Sequence, residues 1–431
     1  MKTKNIVLSL ISILAPVLGF SQKGFHFEKY TLGEGITATG NDGGYSINLT
    51  GFIQPQLDTR FYEGDQNETN NRFRLRRSRL RLSGTAFEGK ISYRVTGDFS
   101  ASLGGEDTNT ILQDAFISYS PNSNLSFTVG QRSVGTDSRE MGISSNALAF
   151  VDRSTLGTIF STIRETGVFI DGTLKIGKRS FLEPTLILTD GDGSFTRGTR
   201  YGGLKYGGRI NYLPFGKFRE AGKFKGADLL REMTPKLSIG GAFSYNDGTS
   251  DRRGGRSTGD ILYMDADKNY SLPSYSKLVA DFLFKYKGFS MLGEYAKTWA
   301  SVPSDIYYRV RTDGTLATTF DGGVESYIKQ RMLLGEGYNI EGTYTFPSLY
   351  LVGFRYTHLK PDTNSYMNNT LYFNRNNFYE ITAAKFLTRS QAVKVQASYI
   401  FVDAGPDSRD VSGYTMVGNE NRFQLIMQIT F

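Results

Sequence analysis

The stretch Arg72–Gly84 reads RFRLRRSRLRLSG and places six arginines among three leucines. Its end, Arg79-Leu80-Arg81-Leu82, alternates with period two, which predicts a β-strand with one cationic and one apolar face. In a soluble protein the leucines would enter a core and the arginines would face solvent. In a transmembrane barrel the leucines would face lipid and the arginines a water-filled lumen. The rest of the chain decides between these two folds.

Length and composition permit a barrel. The 431 residues suffice for two or three ordinary domains or for one large barrel. The absence of cysteine excludes a disulfide framework and a thiolate metal site. The apolar content of 39% is unexceptional, as in membrane barrels, because their lipid-facing residues alternate with polar ones.

The N-terminus has the pattern of a secretory signal peptide. Lys2 and Lys4 precede an apolar run over Ile6–Phe20, and the small residue Ser21 suits cleavage. We therefore expect residues 1–21 to be removed and the protein to be exported. Losing two of the 50 basic residues leaves 48 against 42 acidic ones. An exported protein with this charge rarely meets nucleic acid, so no nucleic-acid partner is expected.

Alternating segments then repeat along the chain. Residues 22–44 form a glycine-rich periplasmic lead-in, and sixteen candidate strands follow from Tyr45–Gln56 to Arg422–Phe431. Tight turns alternate with long polar segments, except at residues 214–235, which are long where a short turn is expected. We therefore predict an all-β fold, an antiparallel transmembrane barrel of about 16 strands over residues 45–431, with short periplasmic turns and long extracellular loops.

The last strand supports this fold. Its apolar face ends on Phe431, and a terminal aromatic residue on an alternating strand resembles the assembly signal of Gram-negative outer-membrane proteins. We expect Phe431 to engage the outer-membrane assembly machinery and the protein to reside in the outer membrane of a Gram-negative bacterium. The alternative is a soluble all-β sandwich that ends in a strand, which the signal peptide and the loop asymmetry disfavour.

The arginine strand suggests what the lumen does. Arg77, Arg79 and Arg81 should face inward, because each lipid-facing arginine at mid-membrane costs about 2–4 kcal/mol. They would form a column with steps of roughly 7 Å, since a strand rises about 3.3 Å per residue. An anion could move between such sites. Arg74 and Arg76 have the opposite parity, so they lie above the apolar band or a β-bulge near Arg76 and Arg77 resets the phase. Inward parity on other strands adds Arg94, Arg132 and Arg209.

A different use of these arginines is possible. General porins also carry lumenal arginines, which face acids on an inward-folded loop. Here Asp137, Glu140 and Asp152 lie on the long segment after the fifth strand and could fill that role. The column would then be a salt-bridged wall that gives weak selectivity.

The chain lacks the residues that catalysis or metal binding would need. An outer-membrane lipase requires a histidine beside a serine nucleophile, and His358 ends a strand with no evident partner. Asp265–Asn269 begins like a calcium loop, but Tyr270 stands where glycine is needed and Ser276 where glutamate is needed. We therefore predict no enzyme activity, no cofactor and no metal site.

Several stretches resemble one family. LRRSRLRLSG followed by FEGKISYRVTGDF is similar to the start of the phosphate-selective porin O and P family, and LQDAFISYSPNSNLSFTVGQ resembles its next hairpin. SSNALAFVDRS and RETGVFIDG resemble the end of its constriction loop and the strand that follows, and GGRINYLPFG resembles a later strand. The matches span about Phe73 to Phe215 in the right order, while the second half of the chain matches only by alternation and loop spacing.

The resemblance implies a sixteen-stranded, homotrimeric outer-membrane porin that guides phosphate or polyphosphate with arginines and lysines. The family's inward-folded constriction loop falls on about residues 132–160, and its doubled-arginine motif falls on Arg76 and Arg77, with Arg79 following. The loop carries few basic residues besides Arg139 and Arg153. The family's binding lysines cannot be matched one by one, so anion preference is better supported than phosphate specificity.

We therefore expect passive diffusion of small solutes, with small anions preferred and phosphate or polyphosphate as the leading substrate. The expected anion ladder comprises Arg76, Arg77, Arg79, Arg81, Arg94, Arg132 and Arg209. Two alternatives remain open: a general, weakly selective porin, which salt-bridged ladder arginines would favour, and a surface-binding barrel closed to ions, which large plugging loops would favour.

Overall fold

The computed structural model describes residues 24–28, 30–40, 43–63, 69–100, 111–191, 201–249, 262–311, 313–368, 373–408 and 418–431. The expected signal peptide, residues 1–21, lies outside the described residues. The short helices are α1 (Thr155–Phe160) and α2 (Val324–Lys329), with 3-10 turns at Arg139–Gly142, Ser145–Ala147, Arg219–Phe224 and Tyr366–Asn368. No helix in the described ranges is long and apolar enough to cross a membrane.

The strands in these ranges are β1 (Phe25–Phe27), β2 (Ile36–Gly40), β3 (Ser46–Tyr62), β4 (Thr69–Ala86), β5 (Ile91–Asp98), β6 (Leu112–Asn122), β7 (Leu125–Ser133), β8 (Arg164–Gly172), β9 (Leu174–Lys175), β10 (Phe181–Thr189), β11 (Lys205–Leu213), β12 (Lys236–Asn246), β13 (Tyr263–Met264), β14 (Ser274–Tyr286), β15 (Phe289–Ser301), β16 (Tyr308–Val310), β17 (Leu316–Ala317), β18 (Gly335–Thr345), β19 (Tyr350–Pro361), β20 (Arg375–Phe386), β21 (Val393–Ala404) and β22 (Glu420–Thr430).

Sixteen of these described strands form one closed antiparallel barrel: β3 to β8, β10 to β12, β14, β15 and β18 to β22. The last strand, β22, returns to β3, with Glu420 opposite Tyr62 and Thr430 opposite Phe52. The terminal residue continues this pairing, since the N–H of Phe431 donates to the carbonyl of Gly51 at 2.8 Å. The predicted sixteen-stranded barrel is thus confirmed.

The two faces of β4 separate as the alternation predicts. Leu80 and Leu82 are 42% and 37% exposed on the outside, whereas Arg77 and Arg79 are 1% and 9% exposed on the inside. The outer surface is apolar on neighbouring strands too, where it exposes residues such as Ile117. An apolar outer band with polar groups inside is the arrangement that a lipid bilayer requires of a barrel.

A β-bulge sets the phase of the arginine strand. Gln54 of β3 lies opposite Arg77, but the next residue, Pro55, lies opposite Leu75, so Arg76 is an extra residue on β4. Of the two alternatives given for Arg76, the structure has the bulge. Because it resets the alternation, Arg74 also turns inward, where its Nε donates to Gln56 Oε1 at 2.6 Å.

The lead-in is more regular than its sequence suggested. Strands β1 and β2 form a hairpin, and β2 pairs with the first residues of β3, with Ile36 opposite Leu49. Asn48 secures the connection by donating from Nδ2 to the carbonyl of Glu34 at 2.9 Å. The hairpin therefore extends the sheet at the periplasmic rim beyond the point where β22 ends.

The hydrophobic core lies inside the barrel. Residues 134–163, which join β7 to β8 and are called here the lumenal loop, pack Ile143 and Leu148 against inward-facing Leu213 and Leu283. Residues 214–235, which join β11 to β12 at the periplasmic rim and are called here the periplasmic segment, pack against the loop from below. At the extracellular mouth, residues of the loop between β15 and β18 cluster around inward-facing Tyr275.

Candidate functional site: the lumenal arginines

The upper part of the predicted arginine column holds the lumenal loop. Arg76 Nε and Arg77 Nη2 lie 2.9 Å and 3.0 Å from the same carboxylate oxygen of Asp152 in the loop. Arg79 Nε lies 2.7 Å from Asp98 on β5, and its Nη1 donates to Ser145 Oγ of the loop at 3.1 Å. These three arginines are therefore engaged by acids, and all three connect β4 to the loop.

Asp152 is the centre of this connection. Its second oxygen accepts a hydrogen bond from Gln424 Nε2 at 3.0 Å. Burial alone would raise the pKa of the Asp152 carboxyl, but the guanidinium groups of Arg76, Arg77 and Arg422 outweigh burial and hold that pKa well below its usual range. The carboxylate therefore stays charged, and a charged partner keeps the loop against β4.

Arg81 and Arg94 differ from the rest of the column. They lie diagonally across β4 and β5, since Arg81 faces Thr96 and Arg94 faces Ser83. Within the described ranges neither forms an ion pair, and the buried Nε of each has no hydrogen-bond partner. The Arg94 guanidinium lies 5.4 Å from the centroid of the Phe116 ring. Arg81 and Arg94 are thus two neighbouring lumenal cations that form no ion pair with an acid in the described ranges.

The acid that interacts electrostatically with Arg81 is already engaged. Asp114 of β6 lies 2.8 Å from Arg164 Nε, and both side chains are largely buried. Arg81 therefore shares only the longer-range field of that carboxylate.

The remaining two predicted residues have different surroundings. Arg132 Nη1 lies 2.7 Å from Asp171, and its guanidinium covers the Phe169 ring at 4.6 Å, while the pair remains partly open to the lumen. Arg209 forms an ion pair with Asp281, which Arg139 of the lumenal loop also contacts at 2.7 Å. Both arginines line the same cavity, but Arg209 is nearly buried between the wall and the loop, whereas Arg132 is more exposed.

A second ion-pair cluster lies on the far wall and was not predicted. Arg355 of β19 contacts Glu140 of the lumenal loop at 3.2 Å and Glu341 at 3.4 Å, and it also pairs with Glu380. All four side chains are buried. Parity on β19 places Arg355 inward from sequence alone, but its partners lie on three other elements, so no local pattern announces the cluster.

The three loop acids noted in the sequence do face cations, though mostly different ones from those considered. Asp137 pairs with Lys277 of β14, Glu140 pairs with Arg355, and only Asp152 contacts the arginines of β4. The loop is thereby fixed to both walls of the barrel. The open part of the lumen is left beside β7, β8, β10 and β11.

This open part contains a cavity of about 400 Å³. Its walls come from β7, β8, β10 and β11, from the lumenal loop and from the periplasmic segment. The charged side chains that border it include Arg132, Asp171, Glu183 and Lys223. Mixed charges in a wet cavity suit the passage of polar solutes.

The residues weighed for catalysis and metal binding have structural surroundings. His358 Nδ1 lies 2.8 Å from Asn377 Oδ1 and its ring lies beside Tyr338. In the Asp265 loop the carboxylate accepts from the N–H of Asn269 at 2.8 Å, which closes a turn. Across the part of the chain that the structure describes, no group of three or more histidine, aspartate or glutamate side chains is placed to hold a metal ion.

Solved structures share this fold at low sequence identity. The anion-selective porin from Comamonas acidovorans is 12% identical, with a TM-score of 0.52 over 90% of this chain and 100% of that one. OprB of Pseudomonas putida, in its high-pH structure, is 10% identical, with a TM-score of 0.51 over 90% and 95%. The outer membrane channel DcaP of Acinetobacter baumannii is 14% identical, with a TM-score of 0.50 over 91% and 99%. No curated protein matches the chain in sequence.

A closed sixteen-stranded barrel with an apolar outer band and a charged lumen is the fold that outer-membrane porins have. Residues 48–252, a little under half of the chain, match the sequence profile of the family described as "Phosphate-selective porin O and P". This match and the barrel fold together make the protein an outer-membrane porin, which is a channel and not an enzyme. The resemblance noted from Arg76 and Arg77 onward is confirmed over residues 48–252.

Proposed function

We propose that this porin conducts small solutes passively and prefers anions, with phosphate or polyphosphate as the leading substrate. The observation that supports this most is the pair Arg81 and Arg94, two adjacent lumenal guanidiniums with no acidic partner among the described residues. A guanidinium presents a planar fork of donors that matches two phosphate oxygens. The pair would therefore hold an anion transiently and pass it on.

The other predicted ladder residues take supporting roles in this proposal. Arg132 borders the cavity and would form the next station, since its pair with Asp171 is partly open to water. Arg76, Arg77, Arg79 and Arg209 are engaged by Asp152, Asp98 and Asp281, so they would contribute mainly by fixing the lumenal loop. In this proposal the lumenal loop is the constriction of the pore.

A general, weakly selective porin is the second candidate, and a specific observation favours it. Arg77 and Arg79, two of the three arginines on which the anion ladder was predicted, are neutralised by Asp152 and Asp98. Arg81 alone of that trio is left without an acid in the described chain. Selectivity would then rest on Arg81 and Arg94 together.

The remaining candidate is a surface-binding barrel that is closed to ions. The lumenal loop, the periplasmic segment and the loop over Tyr275 fill much of the lumen, which supports it. The cavity of about 400 Å³ beside β7 to β11 argues against a closed barrel, because it leaves open space in the lumen through which a solute could pass.

We further propose the assembly route that the sequence predicts. Export would use the signal peptide of residues 1–21, insertion would use the assembly machinery that recognises Phe431, and the porin would function as a homotrimer. These partners rest on the sequence pattern and on the family resemblance.

Reversal potentials in a planar bilayer under a KCl gradient distinguish the three functions. An anion-selective channel gives a chloride-favouring potential, and added phosphate lowers its chloride current at low concentration. A near-zero or cation-favouring potential would leave a general porin. No current from folded protein would move the assignment to a closed binding barrel.

A further inference from the structure

The periplasmic segment is unusual for its position in the barrel. Neighbouring periplasmic connections are short, such as residues 287–288 between β14 and β15, whereas this one spans residues 214–235. It crosses beneath the lumenal loop. Phe218 packs with Leu283 of β14, and Leu229 packs with Phe386 of β20. The segment therefore covers the half of the lumen between β11 and β20.

Polar anchors hold the segment inside. Lys285 of β14 is fully buried and donates from Nζ to the carbonyls of Gly222 at 3.0 Å, Lys225 at 2.6 Å and Ala227 at 2.9 Å. The N–H of Gly288 donates to Asp228 Oδ2 at 2.7 Å. The Lys285 ammonium thus donates hydrogen bonds to three carbonyl oxygens of the segment. If the segment folded out of the lumen, water would have to hydrate these oxygens instead.

The segment also supports the lumenal loop directly. The N–H of Gly226 donates to the carbonyl of Ala147 at 2.9 Å. A Cβ on Gly226 would lie 2.6 Å from the backbone nitrogen of Ala149, so only glycine allows this approach. The loop is held between the barrel wall above and the segment below.

One edge of the segment faces the open cavity. Lys223 Nζ lies 2.6 Å from Glu183 of β10, with about a quarter of its side chain exposed, and its ammonium covers the Phe224 ring at 4.9 Å. Phe224 is 49% exposed. Both residues line the cavity together with Arg132. A cation and an aromatic edge therefore border the part of the lumen that stays open.

We propose that the periplasmic segment is a second constriction of the pore and that a permeating anion passes between its Lys223–Phe224 edge and Arg132. This inference rests on the proposed anion conduction and extends it to a lower station. The segment covers one half of the periplasmic exit, and its edge at Lys223 and Phe224, where Lys223 pairs with Glu183, borders the other half.

Cysteine labelling tests this, because the chain contains no cysteine of its own. Lys223→Cys and Phe224→Cys are introduced separately and treated in the bilayer with a small anionic methanethiosulfonate. We expect each label to reduce single-channel conductance at least twofold. Met233→Cys is the matched control: it lies on the same segment, is 68% exposed and does not line the cavity, so its label should leave conductance unchanged.

The outcomes separate this inference from the proposed function. If mass spectrometry shows complete labelling of Lys223→Cys and Phe224→Cys while the conductance stays unchanged, the second constriction is refuted and anion conduction stands. If wild-type channels favour cations but the labels still block them, the segment is a constriction and anion selectivity fails. Folded wild-type protein without current would overturn both.

Discussion

The carboxylate of Asp152 in the lumenal loop lies 3.0 Å from Nη2 of Arg77 on β4. Arg77 is fully buried, and Asp152 is largely buried. The contact joins the arginine strand to the element that fills the lumen, and the bulge at Arg76 lets the neighbouring arginine reach the same oxygen. Loop position and charge distribution are therefore set by one carboxylate.

Replacing this carboxylate should loosen the loop. In Asp152→Asn the guanidiniums of Arg76 and Arg77 lose their counter-charge, and breaking a buried ion pair costs about 3–5 kcal/mol. We expect a lower melting temperature in detergent, noisier single-channel currents and a shift of the reversal potential toward chloride. Asp171→Asn is the control for the melting temperature, since its pair with Arg132 is more exposed and worth about 1 kcal/mol or less. An equal fall of the melting temperature in the two variants would contradict the central role of Asp152.

The stability of the barrel should depend more strongly on the ion-pair cluster around Arg355 than on the contact of Asp152. Arg355→Ala leaves Glu140, Glu341 and Glu380 buried without their cation. We expect a loss of at least about 3–5 kcal/mol, or failure to assemble. Thermal unfolding in detergent, read from gel mobility, measures the difference from Lys360→Ala. Lys360 lies on the same strand and pairs with Glu336 at 3.1 Å, but its side chain is 72% exposed. Lys360→Ala should therefore leave the unfolding temperature nearly unchanged. A stable, wild-type-like Arg355→Ala barrel would refute the role of the cluster.

The anchor of the periplasmic segment can be removed without adding bulk. Lys285→Met keeps an unbranched chain but releases the carbonyls of Gly222, Lys225 and Ala227. Each hydrogen bond from a charged group contributes roughly 1.5–3 kcal/mol, partly offset because a buried charge is also removed. We expect larger and more variable conductance in single-channel recordings. Lys178→Met, in an exposed periplasmic turn, serves as the control. Unchanged channels in Lys285→Met would show that the segment does not depend on this lysine.

The C-terminal residue is predicted to act in assembly. Deleting Phe431 removes its backbone pair with Gly51 and the hydrogen bond from Thr50 Oγ1 to the Phe431 carbonyl at 2.7 Å. It also removes the terminal aromatic group. We expect the heat-modifiable, folded fraction in isolated outer membranes to fall severalfold, while Phe431→Tyr stays near wild type. Normal assembly of the deletion variant would contradict the predicted role of Phe431.

Most of the barrel could be predicted from sequence because its pattern is local. The period-two alternation of Arg79 to Leu82 places each side chain on a face without knowledge of any neighbour. The opposite parity of Arg76 and Arg77 allowed either a bulge or a position above the apolar band, and the sequence alone did not decide between them. The lead-in hairpin was missed, because the short strand Ile36–Gly40 pairs through its backbone with β3 and carries little alternation.

The ion pairs could not be predicted in the same way. Arg77 and Asp152 are 75 residues apart, and Arg355 and Glu140 are 215 apart, so no spacing rule links them. The sequence identified Asp152 as a candidate acid but could not choose its partner among the lumenal arginines. The periplasmic segment stood out by its length alone. Its position inside the lumen depends on contacts with Lys285, Ala147 and Phe386, all distant in sequence.

Arg81 and Arg94 are proposed to select anions, and the double variant Arg81→Gln/Arg94→Gln tests this role most directly. Reversal potential under a KCl gradient is compared with Lys178→Gln/Arg179→Gln, which removes the same charge from an exposed turn. We predict a chloride-favouring potential for the wild type and the control, and a loss of at least half of it, together with the phosphate block, in the Arg81/Arg94 variant. An unchanged potential and an unchanged phosphate block in that variant would contradict the claim.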